Sequence, residues 1–302
     1  MLSVIICTHN PQPEYLSRAL DSLRAQTLGS SAWELLIVDN ASQPDKSPRL
    51  DLRWHPDARL IFEPRLGLTP ARLRGIRQSK GDVLVFVDDD NVLDADYLEN
   101  AARIAKERPF LGSWSGQCRP GFEEMPPEWT RRYWGNLALR EFDRDVWSNL
   151  PRLAETMPCG AGLCVRRAVA LRYLELHESG RRKFQFDRAG GSLLSGGDND
   201  LAACACDIGL GVGLMTSLKL THLMPAERFT EDYLARLVEG ISFSGVLLDA
   251  GQGIRAPDRG VIGRLADTFR LARLRPPHRR IIKAAQRGRV RALRMVSREN
   301  SN

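Results

Sequence analysis

Within the first hundred residues, short uninterrupted apolar runs alternate with segments whose leucines recur at helical spacing. This alternation constrains the fold more than any other feature of the chain. Residues 2–7 are apolar apart from Ser3, and Leu16, Leu20 and Leu23 then follow at helical intervals. Residues 35–38 form a second apolar run, 59–62 a weaker third and 83–87 a fourth. Before the fourth, Thr69-Pro70 has the form of an N-cap followed by proline at the first helical position, opening a helix towards Gln78. Runs without polar alternation suit strands buried on both faces. Their order with the helices calls for an α/β fold with a mostly parallel sheet and right-handed crossovers. Ligands bind such sheets at the carboxyl ends of the strands. Three of the four runs end there in polar residues, as Thr8-His9-Asn10, Asp39-Asn40 and Asp88-Asp89-Asp90-Asn91, so one rim is the expected ligand edge.

The second half is less regular. Residues 110–150 are rich in Gly, Pro and Trp (Trp114, Trp129, Trp134, Trp147), which points to irregular loops. Aromatic rings there can stack on a sugar or another acceptor, and core packing is the alternative for each. Residues 160–165 read as a strand running into a helix near Arg167, and 201–208 as a further helix. With 43% hydrophobic and 27% charged residues over 302 positions, the chain has material for a sizeable core, which excludes wholesale disorder. No stretch approaches the roughly 20 apolar residues of a membrane-spanning helix, and the first apolar run has no charged leader, so a cytoplasmic protein is expected. The six cysteines lack CxxC spacing and read as reduced, mostly buried thiols; Cys204 and Cys206, two apart on a helix, face different sides.

Chemistry concentrates first in VLVFVDDDN, residues 83–91, where a buried strand delivers three consecutive carboxylates. Adjacent carboxylates repel. A hard divalent cation shared with a diphosphate offsets that repulsion, because Mg²⁺ and Mn²⁺ take one or two carboxylates together with phosphate oxygens. A solvated acidic turn is the alternative.

SVIICTHN, ELLIVDNAS, GLTPARLRGI and VFVDDDN, in that order, resemble glycosyltransferase family 2, the inverting GT-A enzymes that use nucleotide-sugar donors. The resemblance spans roughly residues 1–235. It implies a GT-A (Rossmann-like) fold with a nucleotide-sugar-binding half at 1–104, an acceptor-binding half at 105–235 and a helical basic C-terminal extension at 236–302. It further implies that Asp39 contacts the nucleobase and that Thr8 and Asn10 line the nucleotide pocket. The family's DXD motif falls on residues 88–90, with Asp88 and Asp89 towards the nucleotide sugar and Asp90 on a Mn²⁺ or Mg²⁺ ion. Arg72 matches the arginine of the family's ARN segment and would grip the nucleotide; its alternative is a surface helical arginine. Leu73 stands where the family has asparagine.

Two later segments complete the resemblance. In LLSGGDNDLAACA, residues 193–205, Asp198 stands just before the expected helix and matches the family's general base, although Gly197 replaces the motif's glutamate. Capping of that helix is the competing role for Asp198 or Asp200, and Asp200 is the second candidate for the base. In LTHLMPAER, residues 220–228, His222 lies in an HxxP context that implies contact with the metal or the diphosphate, against a purely structural histidine; Arg228 would neutralise departing phosphates. The activity implied is inverting transfer of a sugar to an acceptor hydroxyl on a glycan or lipid-linked acceptor, in cell-surface polysaccharide or glycolipid biosynthesis. A nucleotidyltransferase of related fold is the main competitor, but THNPQPEY is not the glycine- and arginine-rich phosphate loop it would need.

The net charge of +7 belongs to the tail: residues 264–302 carry net +10, leaving −3 elsewhere. Val261, Leu265, Phe269 and Ala272, then Ile281, Ile282, Ala285 and Leu293, recur on helical faces among the arginines. Such a segment suits the anionic inner face of a membrane; a solvated arm and a nucleic-acid contact are the alternatives, the last without a matching module in the body.

Overall fold

In the computed structural model, which describes residues 1–151, 155–182, 194–254, 271 and 273–299, the four apolar runs are strands. They are β1 (Leu2–Thr8), β2 (Trp33–Asn40), β3 (Ala58–Glu63) and β4 (Val83–Val87). Helices α1 (Pro13–Arg24) and α2 (Leu68–Gln78) connect them, as the leucine spacing requires. The expected start of α2 needs correction. Gly67, not Thr69, is its N-cap; at φ 137° it occupies backbone space that favours glycine, and its N–H is taken by the Asn40 side chain at 2.8 Å.

Five further strands, β5 (Asn91–Leu93), β6 (Leu111–Phe122), β7 (Val146–Ser148), β8 (Leu163–Arg166) and β9 (Gly211–Met224), join these among the described residues. The sheet order is β3-β2-β1-β4-β8-β6-β9-β5, with β7 on β9. β3, β2, β1 and β4 are parallel throughout. Beyond β4 the sheet becomes mixed, because β8 runs antiparallel between β4 and β6, and β9 pairs parallel with β6 but antiparallel with β5 and β7.

Both faces of the parallel part are buried. Ile5, Leu36, Val38, Leu84 and Phe86 share one core with α2 and with helices α4 (Arg167–Glu178) and α5 (Gly197–Asp207). Their neighbours Val4, Ile6, Leu35, Ile37 and Val85 point to the opposite face and are equally inaccessible. Helix α3 (Tyr97–Glu107) lies beside β9 and α1 beside β5. Trp114 is fully buried, whereas Trp147 is half-exposed and packs on Phe110 at 4.7 Å between ring centroids. All six cysteines are free thiols.

At the amino ends of the strands sits a polar lock. The carboxylate of Glu34, wholly buried in β2, accepts hydrogen bonds from Ser3 Oγ at 2.6 Å, from Arg59 Nη2 at 2.5 Å and from the Lys80 N–H. Burial alone raises its pKa, but these bonds and the guanidinium charge outweigh burial and hold it below the ordinary carboxylate value. Ser3 in turn accepts the Gly81 N–H at 2.7 Å, so β1, β2 and the turn into β4 are fastened together.

The described residues group into two compact units, one of residues 1–124, 137–181 and 197–225, which holds the whole sheet, and one of 125–136, 182–196 and 226–302. In the second, helices α6 (Glu231–Gly251) and α7 (Pro276–Glu299) pack along each other. Arg280 pairs with Asp232 and Arg287 with Glu239, both 48 residues apart, and a constant offset means that the helices run parallel. The buried face of α7 is Ile281, Ala284, Gly288 and Ala292. Of the apolar stripe expected there, Ile281 belongs to this face, while Ile282, Ala285 and Leu293 are only half-buried. Small residues line the contact because the backbones approach closely: a Cβ on Gly288 would stand 2.2 Å from the Glu239 carbonyl oxygen. The stripe of Val261, Leu265, Phe269 and Ala272 lies outside the described residues.

Two outcomes follow from this packing. A group whose folded pKa is depressed contributes stability that is complete above its unfolded value, about 4.3 for glutamate, and is lost as pH falls through the folded value. Glu34→Gln is therefore expected to flatten the acid limb of a urea-midpoint curve below about pH 4; an unaltered limb would contradict the lock. Gly116 lies at a register shift between β6 and β9, where a Cβ would meet the Leu218 carbonyl oxygen at 2.0 Å. Gly116→Ala should cost about 1–3 kcal/mol in the same assay.

Candidate active site

The site is built on the carboxyl ends of β1, β2 and β4. Thr8 stands opposite Asp39 in the β1–β2 register, and Ile6 opposite Val87 in β1–β4, so the chain leaving β4 comes level with Thr8 as it enters the acidic triplet. The Thr8 hydroxyl donates to Asp89. Asp39 is almost inaccessible, and its oxygens accept the Ser42 N–H at 3.2 Å and the Ser47 hydroxyl at 2.6 Å. A carboxylate has about four lone-pair sites, so Asp39 retains capacity for a further donor.

Asn10 and Asn40 tie the loops around this rim. Asn10, at φ 48°, donates its N–H to Ser42 Oγ at 2.8 Å and accepts the Gln43 N–H at 2.9 Å. Its amide also meets His9 Nε2 at 3.0 Å, while His9 Nδ1 lies 2.8 Å from the Asn40 carbonyl oxygen. A carbonyl only accepts, so Nδ1 carries the proton. Asn40 is buried, with all its side-chain contacts inward: it donates to the carbonyls of Glu63 and Arg65 at 3.2 and 2.7 Å and receives the Gly67 N–H.

The acidic triplet is divided by its surroundings. The turn is closed by the Asn91 N–H donating to the Asp88 carbonyl at 3.0 Å, and the Asn91 amide donates to Asp90 Oδ1 at 3.0 Å. Antiparallel pairing of β5 with β9 sets Asn91 opposite His222. Asp90 Oδ2 and His222 Nε2 are consequently 3.2 Å apart, both side chains about nine-tenths buried.

Arg72 is buried on α2, which removes the surface-arginine alternative. Burial presses its pKa down, but the negative charges of Asp198 and Asp88 around it more than compensate, and the guanidinium is held above its ordinary value. Asp198 lies in the first turn of α5, a correction to its expected place before the helix, because α5 begins at Gly197. Its Oδ2 accepts the Gly160 N–H at 2.7 Å and its Oδ1 the Asn199 N–H at 3.0 Å. Arg72 Nη2 and Asp198 Oδ2 lie 3.3 and 3.1 Å from the point that a Cβ on residue 160 would occupy, so only glycine leaves both groups their places. Asp200 faces elsewhere: it is buried, its Oδ2 3.9 Å from His177 Nε2. The neighbouring Cys7 thiol is pushed up to about 12, chiefly by burial, with Asp88 and Asp89 adding to the rise and Arg72 opposing it.

Arg140 has no counterpart in the sequence reading. It pairs through its backbone with Cys118, donates to the Met157 carbonyl at 3.0 Å and to Ser115 Oγ at 3.1 Å, and its charge lowers the pKa of the Cys118 thiol that Asp90 and Asp88 raise. No local motif marks it, since its place depends on a pairing between residues 22 positions apart. Arg228 lies in the short turn Ala226–Phe229 of the second unit.

The mixed sheet thus carries an acidic rim beside a buried arginine. Residues 3–162 match Glycosyl transferase family 2, more than half of the chain, and the chain belongs to that family. Among curated relatives, it is 28% identical over 189 residues to an N-acetylglucosaminyltransferase of Rhizobium sp. (strain N33), covering 59% of this chain and 40% of that protein. It is 33% identical over 101 residues to glycosyltransferase AglE of Haloferax volcanii, covering 32% of this chain and 33% of the relative. The chain thus spans well under two thirds of these relatives' length. The mannosyltransferase PcManGT of Pyrobaculum calidifontis, solved in complex with GDP-Man and Mn²⁺, superposes with a TM-score of 0.59 at 18% identity, covering 97% of this chain and 86% of that one. This likeness establishes the GT-A fold.

Arg72 is buried while Asp88 and Asp198 are half-buried, so removing its charge leaves carboxylates that water still reaches, at about 1–3 kcal/mol. Arg72→Met, which preserves most of the side-chain bulk, is expected to lower unfolding stability by that order, with Arg72→Lys recovering part of it. An unchanged urea midpoint for Arg72→Met would contradict the brace.

Proposed function

We propose that this glycosyltransferase transfers a sugar from a nucleoside-diphosphate donor to an acceptor hydroxyl with inversion at the anomeric carbon. The observation that carries the reading is the buried Arg72, whose Nη2 lies with Asp198 Oδ2 beside Gly160 and whose charge is held by Asp198 and the DXD residue Asp88. A base and a donor-binding rim are thereby joined through one buried cation.

In this reading Asp39 receives the nucleobase through its remaining lone pairs, and Thr8 and Asn10 shape the nucleotide pocket, Asn10 by clasping the loop that follows β2. Arg72 contacts the nucleotide, and Asp88 and Asp89 lie along the nucleotide sugar. The donor set fits a divalent cation: a carboxylate oxygen of Asp90 and an imidazole nitrogen of His222 meet at 3.2 Å, and Mn²⁺ or Mg²⁺ accepts both atom types. Among the described residues no group of three or more such side chains could hold a metal by itself. Diphosphate oxygens would therefore complete the shell, which makes binding of ion and donor mutually dependent. When bound, the cation stabilises negative charge developing on the departing diphosphate.

Asp198 performs the proton transfer. As the acceptor oxygen bonds to the anomeric carbon, the bond from that carbon to the diphosphate oxygen breaks, and the hydroxyl proton passes to the Asp198 carboxylate. The nucleoside diphosphate leaves with the bonding pair. The Gly160 and Asn199 N–H groups hold the carboxylate in orientation throughout. The GDP-Man and Mn²⁺ bound by the mannosyltransferase neighbour, and the N-acetylglucosaminyl transfer named for the Rhizobium relative, support a nucleotide-sugar donor. A glycan or lipid-linked acceptor of cell-surface polysaccharide or glycolipid assembly fits the same reading.

Thermal stabilisation by UDP, GDP and dTDP with and without Mn²⁺ tests donor and metal together, since a ligand of the native state raises its stability with the logarithm of saturation. Asp90→Asn should abolish the Mn²⁺-dependent part of the shift. Asp198→Asn should keep that shift and lower turnover about 10²–10⁴-fold, the usual contribution of general-base catalysis. Loss of both readouts together in Asp198→Asn would remove the base from the reading.

A further inference from the structure

We propose that the outer face of α7 docks on a bilayer surface containing anionic phospholipid. The helix carries eight Lys/Arg and one acidic residue, Glu299. Its inner face is taken up by α6, where Arg280 and Arg287 also find acidic partners and Arg291 lies over the Phe243 ring at 4.3 Å. Lys283, Arg294 and Arg298 are exposed outside that contact, and with Arg287 they recur at helical spacing along one strip. Like charges at such spacing destabilise a helix by a few tenths of a kcal/mol per pair. A counter-surface of opposite charge turns that repulsion into attraction.

Two observations favour lipid over another polyanion. Val290, 46% exposed, stands on the same side as the basic strip. Apolar side chains between long cationic ones fit a headgroup boundary, where the stems lie along the hydrocarbon and the charges reach the phosphates. The second is at the amino end of α7. There Tyr133 meets His278 Nδ1 through its hydroxyl at 2.9 Å, and Trp129 packs edge-on to the same imidazole. Arg131 and Arg132 are exposed on this segment, and Trp and Tyr beside basic residues are the composition enriched at membrane–water interfaces. No described helix is long and apolar enough to cross a membrane, so the contact runs along the surface.

The test is co-sedimentation of the full chain with vesicles of phosphatidylcholine alone or mixed with phosphatidylglycerol, at about 0.15 M salt and at about 1 M salt. Binding is expected only to the mixed vesicles and only at the lower salt. The triple variant Lys283→Glu/Arg294→Glu/Arg298→Glu changes exposed residues and should keep its circular dichroism. Its partitioning should weaken on the order of a hundredfold, from about 1 kcal/mol for each basic residue at an anionic surface. Equal binding to both vesicles, absence of binding to either, or undiminished binding by the triple variant overturns the proposal. Preferential capture by duplex DNA over mixed vesicles at the same salt overturns it as well and assigns the strip to nucleic acid.

Discussion

A buried guanidinium among carboxylates is the interaction around which this rim is organised. Burial of Arg72 is costly for a lone charge, and the negative charges of Asp198 and Asp88 offset that cost. The strands that deliver Asp88 and the helix that delivers Asp198 are far apart in the chain, so satisfying this charge cluster requires the parallel core and the later α4–α5 layer to be assembled together. Asp90 and His222 are likewise brought within 3.2 Å by elements distant in the chain, with the β5–β9 pairing as the connector.

What sequence could supply divides along the range of the interactions involved. β1, β2 and β4 were legible because burial on both faces demands continuous apolar runs, and Asp39 and residues 88–90 stood out because polar residues at the ends of such runs need a reason. Arg72 was legible by its motif, but its burial was not, since a helical arginine looks the same in either setting. The meeting of Asp90 with His222 spans 132 positions and rests on a three-residue strand too short to announce itself. Arg140 left no trace for the same cause. The start of α2 was misjudged because Thr-Pro is a strong local signal, whereas the actual boundary is set by a contact from Asn40, 27 residues away.

The two units rely on different means of close approach. In the sheet, Gly160 and Gly116 admit a charged pair and a neighbouring strand. In the helical unit, Gly288 admits the backbone of α6, and the arginines at a constant 48-residue offset fix the register along it. Basic residues in α7 thus serve distinct purposes: Arg280 and Arg287 face acids on α6, Arg291 lies over the Phe243 ring, Arg279 donates to the carbonyls of Leu271 and Leu274, and Lys283, Arg294 and Arg298 are exposed. The +10 charge of the tail is a sum over these distinct roles.

Asn40 carries a lesson for interpreting mutational scans of this enzyme. It adjoins Asp39 at the carboxyl end of β2, where a loss of turnover is readily credited to substrate contact. Every polar atom of its side chain is nevertheless occupied in anchoring the connection that launches α2, and hence in setting where Arg72 stands. Damage there would travel through architecture and surface as a kinetic defect, so proximity to the acidic rim is a poor guide to which side chains meet a ligand.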